Sequence, residues 1–161
     1  MIDYRKATLK DADTLAQIRS IFLKEVAKET DEHGLFSENE NVKIEAANKA
    51  YFEAAIANDS FAAWLAIDGG KIIGTSGLSF SLVPPNFSCP DGRVAYIMNI
   101  FTLPEYRKQG IGMELFKKVM AEAESRGYKK ITLNATDAGR PLYERYGFKD
   151  VKGDMVFYIT G

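Results

Sequence analysis

The sequence is poor in the residues that form disulfides and bind metals. It has one cysteine, Cys89, and one histidine, His33, among 161 residues. A single cysteine excludes a disulfide within the chain and is typical of a reducing compartment, so we expect a cytoplasmic protein. We also expect no metal site.

Long apolar runs are missing as well. No stretch approaches the roughly 20 apolar residues that cross a bilayer. Residues 1–13 lack the apolar segment that follows the charges of a signal peptide. We therefore expect no membrane partner. The length is typical of one domain, residues 1–161, with one sizeable core.

Neither sign of charge dominates. The chain has 21 basic and 22 acidic residues and a net charge of −1, so we expect no nucleic-acid partner. Locally, acids cluster between Glu29 and Glu45, and bases cluster between Pro104 and Lys130. Each cluster could be a solvated helix face. The alternative is an anion site near the bases and a wall that accepts cations near the acids.

Hydrophobic periodicity predicts alternating strands and helices. After a short first strand, apolar residues at helical spacing predict helices to about Lys28 and from Ser37 to about Asn58. Two strands meet at a hairpin, and a long strand at 93–103 is apolar on both faces, as in the middle of a sheet. A helix, a strand, a short helix and a final strand pair at 148–151 and 155–160 follow. The order indicates an α/β domain with a mostly antiparallel sheet.

Two glycines stand where the long strand passes into an amphipathic helix. Arg107, Gly110 and Gly112 form R-x-x-G-x-G. A helix start carries unpaired N–H groups and the positive end of the helix dipole, which together bind phosphate. Glycines let phosphate oxygens reach the backbone, and Lys108 adds charge. The alternative is a tight turn that needs glycine and binds nothing, since the Rossmann and Walker fingerprints are absent.

A second motif, GRPLYERYGF at 139–148, predicts a short helix. Its simplest interpretation is structural, because Leu142, Tyr143 and Tyr146 share the spacing of a helix that packs on a core, with Gly147 as its cap. The Pro-rich segment 84–92 is either a flap over a site or a long hairpin loop, and we favour the loop.

Together, NIFTLPEYRKQGIG at 99–112 and GRPLYERYGF resemble the GNAT superfamily of acyl-CoA-dependent N-acyltransferases. The motifs cover about 93–148, and the element order extends the resemblance over the whole chain. It implies a mixed sheet of six to seven strands with helices on both faces. It also implies a bulge in the fourth strand and a V-shaped splay between the fourth and fifth strands. Acetyl-CoA is the co-substrate that it implies, acetyl being the family default.

The resemblance also implies the roles of individual residues. Residues 107–113 would form the loop that binds the pyrophosphate of coenzyme A: Arg107, Lys108, Gln109, Gly110, Ile111, Gly112 and Met113. Ile100, Phe101 and Thr102 would pair with the pantetheine arm, and a backbone N–H among them would point at the thioester carbonyl. Tyr143 aligns with the tyrosine that protonates the departing thiolate. Many relatives have Asn where this chain has Thr136, so we name Asn134 as the pantetheine contact.

The implied reaction is acetyl transfer to a primary amine of a small molecule or peptide, by direct attack in a ternary complex. No general base stands out; the candidates are Glu29, Asp31, Glu32, His33, or a water relayed by Tyr96 or Asn99. His33 has only polar neighbours, which favours an exposed loop residue over a base. The acidic run lies where the family builds its acceptor wall, which favours a cationic acceptor.

Other interpretations stay open. A non-catalytic acyl-CoA-binding or sensing module would keep residues 107–112 but lack a productive acceptor pocket. A nucleotide-binding domain of other chemistry would bind ATP or NAD without binding coenzyme A. Relatives in this superfamily often dimerise, so a homodimer is an open alternative to a monomer.

Overall fold

The computed structural model describes residues 1–30 and 37–159. Its strands are β1 (Ile2–Lys6), β2 (Phe61–Asp68), β3 (Lys71–Leu82), β4 (Arg93–Thr102) and β5 (Lys130–Leu133). Its helices are α1 (Ala12–Thr30), α2 (Glu38–Ala57), α3 (Ile111–Ser125) and α4 (Arg140–Tyr146), with short 3-10 turns at Leu9–Asp11 and Pro104–Tyr106. No helix in these ranges is long and apolar enough to cross a bilayer.

The strands form one sheet in the order β1-β2-β3-β4-β5. The pairs β1–β2, β2–β3 and β3–β4 are antiparallel, and β4–β5 is parallel. The predicted mixed, mostly antiparallel sheet is therefore confirmed. The long strand β4 lies inside the sheet, as its two apolar faces indicated.

The prediction of six to seven strands is wrong. Across the described part of the chain the sheet has five strands, and residues 148–159 form neither helix nor strand. Their apolar alternation is typical of a strand, but a strand also needs a neighbouring backbone to pair with. Here the side chains of Met155, Val156 and Phe157 remain exposed to solvent, so no buried face stabilises pairing.

Helices cover both faces of the sheet. Successive side chains of β2 point to opposite faces. Leu65 packs with Leu15 of α1 and Phe52 of α2, whereas Ala66 packs with Leu115 of α3. The two cores on opposite sides of β2 confirm the predicted layering.

A bulge interrupts β4 in the middle of the molecule. Ser76 of β3 stands opposite two residues of β4, Asn99 and Ile100, where the register shifts. Asn99 has a φ of 58°, in the left-handed region that asparagine tolerates better than most residues. The fully buried Thr75 hydroxyl donates a hydrogen bond to the Asn99 carbonyl oxygen at 2.8 Å. The bulge is therefore held from the neighbouring strand.

The pairing of β4 with β5 ends just before this bulge. The last pair is Ile97 with Leu133, and β4 continues to Thr102 without a partner on that side among the described residues. A small cavity of about 40 Å³ lies between the two strands beyond this point. The unpaired half of β4 thus leaves backbone groups available beside a cavity.

Candidate active site

A cavity of about 320 Å³ lies between α1, the end of β4, the start of α3 and α4. Eight of the predicted coenzyme-binding residues line it: Ile100, Phe101, Thr102, Arg107, Lys108, Gly110, Ile111 and Gly112. Gln109 and Met113 are not among its lining residues. The structure therefore brings the end of β4 and the glycine motif, both from the segment 99–112, to one cavity.

The structure gives different reasons for glycine at the two positions of the motif. Gly110 precedes α3 with a φ of 80°, so the turn into the helix requires it. Gly112 has no such backbone conformation. A Cβ built on Gly112 meets only the Thr102 hydroxyl oxygen, at 4.0 Å. The tight turn explains Gly110 but not Gly112, whose missing side chain leaves open space at the cavity.

Arg107 connects the motif to α1. Its Nη2 atom donates to both carboxylate oxygens of Glu25, at 2.9 and 3.1 Å, and its Nε donates to the Thr102 carbonyl at 2.9 Å. The guanidinium carbon also lies 5.0 Å from the centroid of the Phe101 ring. Both charged residues line the cavity, so an anion entering it would compete with Glu25 for Arg107.

Tyr143 lies on α4 and serves two purposes. Its ring packs against Phe116 and Phe148, with centroids 5.5 and 6.1 Å apart, as the structural interpretation predicted. It also lines both the 320 Å³ cavity and the small cavity between β4 and β5. Burial raises the pKa of the Tyr143 hydroxyl above its ordinary value of 10.0. The hydroxyl is thus protonated at neutral pH and can donate a proton.

Asn99 places an unpaired amide in the same region. The residue is 3% exposed, and neither its amide nitrogen nor its side-chain oxygen has a hydrogen-bond partner within the described chain. Buried amides without partners are uncommon because they lose their hydration without compensation. Asn99 lines the small cavity and the larger one beyond it. In the sequence, Asn99 could be singled out because it is a polar residue within an apolar strand.

A second large cavity, of about 410 Å³, lies on the other side of the small one. Among the candidate bases, Glu29, Tyr96 and Asn99 line it. Asp31, Glu32 and His33 lie outside the described residues. Two further charged residues, Arg19 and Asp137, line it, and neither was predicted as a site residue from the sequence.

The segment after β5 separates the cavities. Thr136 lines all three of them, and its hydroxyl accepts a hydrogen bond from the Gly139 N–H at 3.2 Å. Asn134 lines the small cavity and the 410 Å³ cavity but is not part of the lining of the 320 Å³ cavity. The predicted pantetheine contact therefore lies beside the gap between the strands.

A family model described as "Acetyltransferase (GNAT) family" matches residues 22–148. The chain belongs to the GNAT acetyltransferase family. The matched range contains β4, the glycine motif and α4, which are the elements that build the 320 Å³ cavity.

Solved GNAT structures agree over the whole chain. A predicted acetyltransferase from Clostridium acetobutylicum, solved with acetyl-CoA, is 32% identical, with a TM-score of 0.86 over 98% of this chain and 96% of that one. A GCN5-related N-acetyltransferase from Ralstonia eutropha is 25% identical, with a TM-score of 0.86 over the full length of both chains. These similarities confirm the fold of the GNAT family.

Curated GNAT relatives match in part. Glucosamine 6-phosphate N-acetyltransferase of Trypanosoma brucei brucei is 29% identical over 80 residues, which are 50% of this chain and 52% of the relative. Thialysine N-epsilon-acetyltransferase of Bos taurus is 32% identical over 85 residues, 51% of this chain and 50% of the relative. The similarity thus spans about half the length of these relatives.

Proposed function

We propose that this GNAT protein transfers an acetyl group from acetyl-CoA to a primary amine of a small molecule or peptide, by direct attack in a ternary complex. The observation that carries the proposal is the open space at Gly112 in the 320 Å³ cavity. That space is at a helix start, where unpaired N–H groups bind phosphate. The 410 Å³ cavity beyond the β4 bulge provides separate room for an acceptor.

The chain's residues fit coenzyme A as follows. The backbone at Gly110–Gly112, with Lys108 and Arg107, would hold the pyrophosphate, and Gln109 and Met113 remain predicted contacts of the same loop. Ile100, Phe101 and Thr102 would bind the pantetheine arm through the unpaired side of β4, with Asn134 across the gap. When bound, acetyl-CoA supplies a thioester carbonyl that an amine can attack.

The chain then handles charge and protons. A backbone N–H near Ile100–Thr102 would donate a hydrogen bond to the carbonyl oxygen as negative charge builds there; losing such a donor costs about 100- to 1,000-fold in rate. The N–C bond forms, the C–S bond breaks, one proton leaves the nitrogen, and one reaches the sulfur. Tyr143 would supply the second proton. Glu29, or a water bound by Tyr96 or Asn99, would accept the first.

The acidic run gives limited support for a cationic acceptor. Glu29 lines the 410 Å³ cavity, but Glu38 and Glu40 are exposed in the first turn of α2. Curated relatives are named for amine acceptors, glucosamine 6-phosphate and thialysine, which supports a small-molecule amine here. A homodimer and a cytoplasmic location remain predictions.

Thermal unfolding with acetyl-CoA, coenzyme A, ATP and NAD in parallel tests the coenzyme site. A ligand at one hundred times its Kd adds about 2.7 kcal/mol to the free energy of unfolding, which a melting curve resolves. We expect shifts with acetyl-CoA and coenzyme A, at most a weak shift with ATP, and none with NAD. No shift with either coenzyme A species at millimolar concentration would reject the transferase.

A thiol-release assay over a panel of amines tests the chemistry. The transferase predicts coenzyme A release that depends on an amine. The alternative, a non-catalytic acyl-CoA-binding or sensing module, predicts the same thermal shifts without release for any amine.

A further inference from the structure

Arg19 is a cation that no described carboxylate neutralises. It lies half-buried on α1 and lines the 410 Å³ cavity. Its Nε donates a hydrogen bond to the neutral side-chain oxygen of Asn48 at 3.1 Å, and within residues 1–30 and 37–159 it forms no ion pair. Burial lowers the pKa of Arg19 below its ordinary value, a shift that neighbouring Tyr96 and Tyr51 partly offset, yet the guanidinium stays charged at neutral pH.

Other arginines of the described chain show the usual arrangement. Four of the other six, Arg5, Arg107, Arg126 and Arg140, each form an ion pair with a carboxylate, whereas Arg93 and Arg145 donate to backbone carbonyl oxygens. A partly buried charge without a partner costs free energy, because it loses hydration and gains no attraction in return. An anion in the 410 Å³ cavity would remove that cost at Arg19.

The cavity offers a second polar group without a partner. The buried side chain of Asn99 lines it and has no hydrogen-bond partner within the described residues. Arg19 and Asn99 belong to different elements, α1 and the β4 bulge. Two independently placed polar groups that the protein leaves unsatisfied indicate a polar occupant.

Acidic groups lie in the same cavity without neutralising Arg19. Glu29 and Asp137 both line it, and neither forms an ion pair with Arg19 in the described structure. The lining therefore presents negative charge for an ammonium group and, separately, a positive charge for an anion. An acceptor with one charge of each sign matches this lining better than a polyamine does.

We infer that the acceptor amine carries an anionic group, a carboxylate or a phosphate, which Arg19 binds. This inference rests on the proposed acetyl transfer and specifies its acceptor class. Arg19 would act in recognition rather than in chemistry, because it is not part of the lining of the 320 Å³ cavity or of the small cavity, both of which Tyr143 lines. It also precedes residues 22–148, the range that the family model matches.

Matched amine pairs test the inference. L-lysine and cadaverine share an alkylamine and differ by the carboxylate, and phosphoethanolamine and ethanolamine differ by the phosphate. We expect the anionic member of at least one pair to be acetylated with a kcat/KM about tenfold or more above that of its partner, as a charge-assisted hydrogen bond provides. The pair that shows the preference identifies whether the anionic group of the acceptor is a carboxylate or a phosphate.

Three variants separate recognition from folding. Arg19→Gln should reduce the preference to near unity through KM, with kcat retained for the partner that lacks the anionic group. Asn48→Ala removes the same hydrogen bond but keeps the charge, so it should keep the preference. Lys43→Gln makes an equal change of net charge on α2, at an exposed residue paired with Glu40, and should also keep it.

A binding measurement covers the case in which no panel amine reacts. The side-chain Nε–H resonance of Arg19 is followed by NMR during titration with inorganic phosphate and with acetate, in the presence of coenzyme A. A saturable shift supports the inference, and no shift at millimolar concentration overturns it. It is equally overturned if cadaverine and ethanolamine are the better acceptors or if the preference survives in Arg19→Gln. Thiol release with the amines that lack an anionic group would then leave the transferase standing, whereas the absence of thermal shifts with coenzyme A would reject the transferase itself.

Discussion

Two glycines that stand two residues apart make different demands on the chain. Gly110 is required because the backbone there is left-handed. Gly112 has no such conformation, and its distinguishing feature is the open space beside the backbone. A side chain at the first position strains the fold, and a side chain at the second position would fill the space proposed for the pyrophosphate. Single methyl groups can therefore tell the structural role from the binding role.

Gly112→Ala should leave the melting temperature near that of the parent protein, because its Cβ meets only Thr102, at 4.0 Å. The Kd for coenzyme A should rise about tenfold to 100-fold, the cost of losing hydrogen bonds to a charged group. Gly110→Ala is the contrasting variant and should lower the free energy of unfolding by about 1–2 kcal/mol, since its φ is left-handed. Calorimetric titration and thermal melts measure both. Unchanged coenzyme A affinity in Gly112→Ala would contradict a pyrophosphate site there.

Tyr143→Phe should lower kcat by up to about 100-fold, the scale of general acid catalysis. The Kd for acetyl-CoA should be nearly unchanged, because phenylalanine keeps the packing on Phe116 and Phe148. Since burial raises the pKa of Tyr143, the parent protein should keep its proton donor, and hence this part of kcat, to above pH 10.0. Tyr146→Phe, on the same helix and also against Phe116, is the control and should keep full kcat. Equal kcat in Tyr143→Phe and the parent protein across pH would remove Tyr143 from the mechanism.

Glu25→Gln should tighten coenzyme A binding by about two- to fivefold. The carboxylate holds Arg107 in an ion pair whose side chains are 38% and 42% exposed, and such pairs contribute about 0.2–1 kcal/mol. Removing it frees the guanidinium for an anion, and the gain should shrink at high salt. Glu53→Gln makes the same charge change on α2, away from the cavity, and should leave Kd unchanged. Weaker binding in Glu25→Gln would show that Glu25 orients Arg107 rather than competing for it.

At the scale of elements, β4 decides the site. Its first half pairs on both sides, whereas its second half, past the bulge at Asn99 and Ile100, has lost β5 as a neighbour. On that side, the backbone of residues 98–102 has no strand partner within the described part of the chain. The Thr102 carbonyl instead accepts a hydrogen bond from Arg107. The bulge in turn depends on β3, because the Thr75 hydroxyl holds the carbonyl of Asn99.

Thr75→Val tests this dependence. It leaves the buried Asn99 carbonyl without its partner, so the free energy of unfolding should fall by about 1–3 kcal/mol. Because the bulge positions the proposed oxyanion donor, kcat should fall as well. Ser76→Ala is the matched control, since the Ser76 hydroxyl is equally buried but donates to Leu115 of α3, at 3.1 Å. It should lose stability with kcat retained. Equal kcat in both variants would contradict the role of the bulge.

At the scale of the whole molecule, one ion pair joins the first strand to the 3-10 turn that leads into α1. Arg5 donates two hydrogen bonds to the Asp11 carboxylate, at 2.8 and 2.9 Å, and the Thr8 N–H donates a third at 2.7 Å. The bonds from Arg5, chiefly, and then that from Thr8 lower the pKa of Asp11 from 3.8, against the opposing effect of burial. The folded state therefore holds the ionised form more strongly than the unfolded state does.

The stability from this pair should be fully present above the unfolded pKa of Asp11, near 3.8, and lost as pH falls through the lower folded value. Asp11→Asn should reduce the free energy of unfolding by about 1–3 kcal/mol at neutral pH, with the difference from the parent protein shrinking on the acid side. Urea unfolding over a pH series measures this. A difference that stays constant into strong acid would contradict the assignment.

Secondary structure was largely predictable, and the exceptions have a physical cause. The strands of the hairpin, the long β4, the start of α3 and the position of α4 follow from periodicity and turn residues, which act within a few positions. Residues 148–159 have the same local pattern but no partner strand in the described structure. Local pattern predicts a preference for extended backbone, and only a neighbour turns that preference into a strand.

By itself, the sequence determined the order of elements as far as α4, the helix start at Gly110 and the family, since these depend on residues close together in the chain. Only the tertiary structure decided that Arg107 meets Glu25, that Gly112 borders open space, and that the linings of the cavities meet at the β4 bulge. Arg19 shows the difference most clearly: along the chain it is one charged residue of a helix, and in the fold it is a cation in a cavity without a described counter-charge. The environment of Arg19 depends on contacts between residues that are distant in the chain, and these contacts arise only when the core packs.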